Sequence, residues 1–178
     1  MALKMIKNIP YYSVAILLFV ALKFGYTFAD SNDLAFLLKP TAKLVELLTG
    51  SHAVYLEDRG YYYEIPNIMI EKSCSGFHFW ILCFLVFSYL GLKYFQKPLH
   101  KILTLPTAML LGYLLTVFSN TSRIFASIMV RNSTIIFFPE KQYLLHEIVG
   151  IITNLSFLIL AYYLIEKFLK HRYYEKHT

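Results

Sequence analysis

The chain has 178 residues, 57% of them hydrophobic and 16% charged, against roughly 45–50% and about 25% in soluble domains. With a mean hydropathy of +0.52, this excludes a disordered chain, a coiled coil and an ordinary water-soluble enzyme. The net charge of +6 sits at the ends of apolar runs rather than on one basic face, which argues against a nucleic-acid partner.

Two cysteines nine positions apart, with no C-x-x-C pair, exclude a disulfide scaffold, a thioredoxin-type motif and a cysteine-rich zinc site. The 15 Tyr and 15 Phe residues suit a chain that meets headgroups as well as hydrocarbon. These features predict an all-α integral membrane protein, a single domain over 1–178, with about four transmembrane helices, an exported interfacial helix and a small β-hairpin.

The first span is expected over 9–29, behind Lys4 and Lys7. The sequence Thr27-Phe28-Ala29 before Asp30 loosely resembles a signal-peptide cleavage site. The apolar stretch is longer than the ~7–15 residues of a usual signal core, which favours a retained span. Residues 30–75 are exported under either reading.

In that exported segment, Asp30-Ser31-Asn32-Asp33 is placed to cap a helix from Leu34 to Leu48 that closes at Gly50, with Pro40 as a kink. Its many leucines make it apolar enough to lie in the interface. Runs at 53–56 and 61–65 flank Glu57-Asp58-Arg59-Gly60 and predict a hairpin. Ile68-Met69-Ile70 then leads into Glu71-Lys72-Ser73-Cys74-Ser75-Gly76 and the second span.

The remaining spans are expected over 76–92, 102–118 and 148–165. The polar run Ser119-Asn120-Thr121-Ser122-Arg123 is read as interrupting a 29-residue apolar stretch. A short turn with Lys93, Lys97 and Lys101 joins spans two and three, and Lys167, Lys170, Arg172 and Lys176 follow span four. Placing the N-terminus, this turn and the tail inside gives the cytoplasmic side nine Lys/Arg and two acids. The other side has seven Lys/Arg and nine acids, with Lys23 snorkelling from the first span, so both termini are placed inside.

This topology sets three reactive side chains on the exported face. Cys74 stands where the exported segment becomes a helix, whose N-terminal partial charge favours thiolate. Gly76 leaves the backbone open to a substrate. Arg123, an expensive charge near hydrocarbon, could stabilise an oxyanion, with Asn120 three residues earlier to orient it. His146 lies two turns into a helix that Pro139 and Glu140 would open.

Each residue also has an ordinary structural reading: a tolerated small thiol, a snorkelling arginine, an interfacial histidine. Cys83, inside an apolar run, is expected only to pack. His78, four residues after Cys74, is a rival base if the helix already includes the cysteine. A metal site from His52, His78 and His146 has no ligand spacing to support it. A quinone-coupled thiol oxidase would need paired cysteines. A non-catalytic membrane scaffold or assembly subunit remains a full alternative.

The ordered set Ser73-Cys74-Ser75-Gly76, Asn120-Thr121-Ser122-Arg123-Ile124 and His146-Glu147-Ile148-Val149-Gly150 resembles the exosortase/archaeosortase family of membrane-embedded cysteine transpeptidases. Leu37-Leu38-Lys39-Pro40, the run from Glu46 to Gly50 and the hairpin are similar to its exported segment. The likeness covers roughly 30–165. Larger members have about eight spans, so this chain looks like the short class labelled exosortase K.

The resemblance implies a catalytic triad of Cys74, Arg123 and His146, with Asn120 and Gly76 in supporting positions and no cofactor or metal. It implies partners that are exported proteins with a C-terminal sorting signal (a short motif, a transmembrane helix and a basic tail), met in membrane lipid. It places the protein in the cytoplasmic membrane as a multi-pass enzyme with its active site on the extracytoplasmic face. No family position matches His78.

Overall fold

The computed structural model describes the backbone of residues 2–134 and 142–175, and the side chains of 8–130 and 147–172. In chain order the elements are α1 (Ala2–Phe28), α2 (Ala35–Thr49), β1 (Ala53–Leu56), β2 (Gly60–Tyr63), β3 (Ile68–Ile70), a 3₁₀ turn (Lys72–Cys74), α3 (Phe77–Tyr94), α4 (Pro98–Thr134) and α5 (Gln142–Glu175). Four segments among the described residues are long and apolar enough to cross a membrane: Asn8–Phe28, Lys72–Tyr94, Pro98–Val130 and Glu147–Arg172. The protein is an all-α membrane protein with a small sheet, as the composition predicts.

The main departure is in α4. The polar run at 119–123 interrupts the apolar stretch but not the helix, which is continuous for 37 residues and runs well past the span expected over 102–118. The reason lies in the side chains themselves. Thr121 donates to the Val117 carbonyl at 2.8 Å and Ser122 to the Phe118 carbonyl at 2.9 Å. Hydroxyls that bond back by one turn satisfy themselves without opening the helix.

The chain folds as two compact units. One comprises residues 1–28, 78–115 and 158–178. In it α3 is the buried centre, with Ile81, Cys83, Phe84, Phe87, Leu90 and Leu92 in the core. Gly112 lets α4 approach so closely that a Cβ there would lie 3.3 Å from Cys83, confirming the packing role expected of that cysteine. Trp80 donates to the Met109 carbonyl at 3.0 Å, and Lys93 pairs with Glu166 at 2.8 Å. The apolar side chains of α1 and α5 stay largely exposed, as lipid-facing helices should be.

The other unit comprises residues 29–77 and 116–157. The expected hairpin is there, in register Val54↔Tyr62 and Tyr55↔Tyr61, but β3 adds a third antiparallel strand, Tyr61↔Ile70. Leu37, Leu38, Ala42 and Val45, spaced for one helix face, make the buried side of α2, and Leu34 just before it is buried too. Tyr63 crosses from the sheet to donate to the Ala42 carbonyl at 2.7 Å. Leu47 (79% exposed) and Leu48 stay on the open side, the apolar face expected of an interfacial helix.

The start of α2 corrects an expectation. Asp30 Oδ1 accepts from the backbone of Asn32 at 2.7 Å and Asp33 at 2.9 Å, closing a local turn on itself. The helix then begins after Leu34, which makes no side-chain cap. An Asx turn competes for the same carboxylate as a cap, and here it wins. At the other end Gly50 closes the helix in the left-handed conformation, φ 67°, as predicted. Pro40 sits inside α2 without ending it.

Candidate active site

Cys74 is not the first residue of a helix. It ends the 3₁₀ turn, its N–H bonded to the Glu71 carbonyl at 2.8 Å, and α3 starts only at Phe77. The dipole argument for a thiolate therefore weakens, because that field falls off within the first turn. The same boundary removes the helical reason for pairing Cys74 with His78. The His78 ring instead meets Tyr26 edge-on, with centroids 4.5 Å apart.

What holds Cys74 is α4. The Asn120 side-chain amide donates to the Cys74 carbonyl at 2.6 Å, from a position only 2% exposed. Asn120 was expected to orient Arg123; its amide is committed to the cysteine turn instead. The thiol is partly exposed. The Ser73 hydroxyl lies 3.8 Å from Sγ and 2.9 Å from Glu71 Oε1. A hydroxyl has one proton, and the closer carboxylate is the stronger acceptor for it.

Gly76 takes φ +72°, a left-handed conformation that glycine adopts freely. Its open side does not await a substrate, contrary to expectation. A Cβ there would meet Thr116 Cγ2 at 3.0 Å and Asn120 Cγ at 3.3 Å, so α4 already fills the space. The glycine is needed for close packing between the cysteine turn and α4.

Arg123 lies one turn beyond Asn120 on α4, half-buried, its Nε without a hydrogen-bond partner among the described residues. Its side chain lies against α5: a Cβ on Gly150 would be 3.1 Å from Arg123 Cδ and 3.7 Å from Nη1. Nearby, Ser119 donates to Asn154 Oδ1 at 2.9 Å. The His146 side chain, like Pro139 and Glu140, lies outside the described residues. The backbone of position 146 belongs to α5, one turn before Gly150 and on the same face.

The three segments that carry the ordered motifs thus fall in one compact unit, joined through α4. Thr116, Asn120 and Arg123 recur at helical spacing along one face, the first two against the cysteine turn and the last against Gly150. Thr116 was missed in the sequence. It is fully buried, with a hydroxyl lacking a partner among the described residues. Its signal was legible as the first member of an i, i+4, i+7 polar stripe on an apolar helix.

A nucleophile-bearing turn held by a buried amide, with a guanidinium one helical turn further on, can support attack on a carbonyl and stabilisation of the charge that develops. Among the described residues, no group of three His, Cys, Asp or Glu side chains is gathered to hold a metal ion. Compared with protein families, curated proteins and solved structures, the chain matches none.

Proposed function

We propose that the chain is a membrane-embedded cysteine peptidase or transpeptidase of the exosortase kind, acting on exported proteins at their C-terminal sorting signals. The observation that carries this reading is the bond from Asn120 to the Cys74 carbonyl, with Arg123 one turn along the same helix and lying on Gly150. It links the cysteine, arginine and histidine motifs of the resemblance within one unit.

In this mechanism the Cys74 thiolate attacks the scissile carbonyl of the substrate. Arg123 stabilises the negative oxygen as the tetrahedral intermediate forms. His146, as general acid, gives a proton to the leaving amine, and the substrate's own membrane helix departs with it. A thioester to Cys74 remains. An acceptor amine, or water, then attacks with His146 as base, releasing the new C-terminus and the thiol. The reaction is placed at the extracytoplasmic face of the cytoplasmic membrane.

The test is substrate cleavage in membranes, normalised to folded protein. Cys74→Ala should abolish it, while Cys83→Ala retains most. His146→Ala should lose the ~10²–10⁴-fold typical of a missing general acid/base, and His78→Ala far less. Unchanged cleavage in Cys74→Ala would leave the chain as a scaffold. Loss in His78→Ala with full activity in His146→Ala would replace the proposed base.

A further inference from the structure

In the unit built on α3, a cavity of about 350 Å³ opens between α3, α4 and α5. Phe87 and Gly91 line it along one face of α3, with Phe95 just beyond the helix end, opposed by His100 and Thr104 of α4 and Phe168 of α5. The size falls within the ~300–1,000 Å³ of small-ligand sites. The Thr104 hydroxyl donates to the His100 carbonyl at 2.8 Å, and Thr107 to the Leu103 carbonyl at 2.7 Å. The threonine hydroxyls in the wall are therefore spent on the helix itself. Water needs two to four polar partners, so it has little hold here, and in a bilayer such a space is filled by hydrocarbon.

The rim of this cavity is basic. His100 is part of the wall, its ring 5.6 Å from that of Phe95. The Arg172 guanidinium lies 5.5 Å from the ring of Phe168, which lines the cavity. Lys101 is only 7% exposed, its ammonium 5.5 Å above Tyr11, and Lys97 stands exposed one turn earlier. The one described acid on these helix ends, Glu166, is already paired with Lys93 at 2.8 Å. Among the described side chains, positive charge without a counter-charge thus stands near an apolar slot between spanning helices, the combination that recognises an anionic lipid headgroup.

We propose that this cavity is a binding site for an anionic phospholipid, one acyl chain filling the slot and the phosphate held by His100, Lys97 and Arg172. The site is independent of the cysteine chemistry.

Trp80 is the only tryptophan, which makes the test direct. A Phe95→Trp reporter in a Trp80→Phe background is placed in phosphatidylcholine nanodiscs containing a minor fraction of either brominated phosphatidylglycerol or brominated phosphatidylcholine. Phosphatidylglycerol should quench several-fold more strongly at equal fraction. Adding Lys97→Gln and Arg172→Gln should reduce this to the phosphatidylcholine level.

Equal quenching by both lipids would show a slot without headgroup selection and overturn the proposal. If the reporter does not fold, native mass spectrometry of the unsubstituted protein decides. Preferential retention of phosphatidylglycerol supports the site; no preference, or a dimer without lipid, overturns it.

Discussion

The Asn120 side chain donates a 2.6 Å hydrogen bond to the backbone carbonyl of Cys74. The bond joins residues far apart in sequence and fixes the turn that carries the thiol against a rigid helix. Replacing Asn120 by Ala removes the donor from a part-buried carbonyl, a loss of about 0.5–1.5 kcal/mol in stability. The effect on cleavage should be larger, on the order of 10²-fold, because small misplacements of a nucleophile are costly. Asn120→Asp, which keeps the shape but offers no amide donor, should be no better. Wild-type cleavage rates in Asn120→Ala would show that the bond does not position Cys74.

Gly76→Ala should destabilise the protein for two separable reasons. The left-handed backbone costs a residue with a Cβ about 1–2 kcal/mol, and that Cβ would press on Thr116 Cγ2 at 3.0 Å. Thr116→Ser removes only the methyl. The double variant should therefore recover part of the loss in a thermal unfolding experiment, never all of it. Full recovery would mean that the backbone conformation carries no cost.

Gly150→Ala tests the contact between α5 and Arg123. The new methyl would lie 3.1 Å from Arg123 Cδ, and the flexible side chain must give way. Folding should change little, while cleavage falls about tenfold as the guanidinium shifts. Gly150→Leu should abolish it. Arg123→Lys should also be severely impaired, since an ammonium lacks the planar two-donor fork. An active Gly150→Leu enzyme would separate Arg123 from the chemistry.

Tyr63 gives the unit that holds α2 and the sheet a predictable alkaline limb. Burial pushes its phenol above the ordinary 10.0, with Glu46 adding in the same direction. The folded state therefore favours the neutral phenol. Its contribution is complete below pH 10 and is lost as pH climbs beyond that toward the folded value. Tyr63→Phe loses the bond to the Ala42 carbonyl, about 0.5–1.5 kcal/mol at neutral pH. It should also lose stability less steeply above pH 10, by hydrogen exchange at β2. Tyr61, raised by burial too, keeps some slope. Parallel slopes in both proteins would exclude Tyr63 as the titrating group.

Hydropathy and charge made the spans legible because helix length and apolar content are local properties. The hairpin was legible for the same reason, through Glu57-Asp58-Arg59-Gly60 between two tyrosine-rich runs. Local reading failed where two local structures competed. Asp30 could cap a helix or close its own turn, and the sequence does not say which. Ser119–Arg123 looked like the end of a span because its hydroxyls were counted as polar, although Thr121 and Ser122 bond inside the helix. The three residues of β3 were too few to show a period, yet Asn67, at φ 59°, marked the turn before them. The role of Asn120 toward Cys74 is a long-range contact with no local signature.

The unbroken α4 also acts as a gauge of depth. Its 37 residues span about 55 Å at ~1.5 Å per residue, against ~30 Å of hydrocarbon. Even at the ~40° upper end of helix tilt it still rises about 42 Å, so roughly 12 Å or more must stand in the headgroup layers or beyond. In the proposed reaction Arg123 would meet the substrate at a height set by its own place along this helix rather than by the substrate's wording. Deleting one turn from its apolar part should move the scissile bond by about one turn along a membrane-anchored substrate, even if the recognised motif stays where it was.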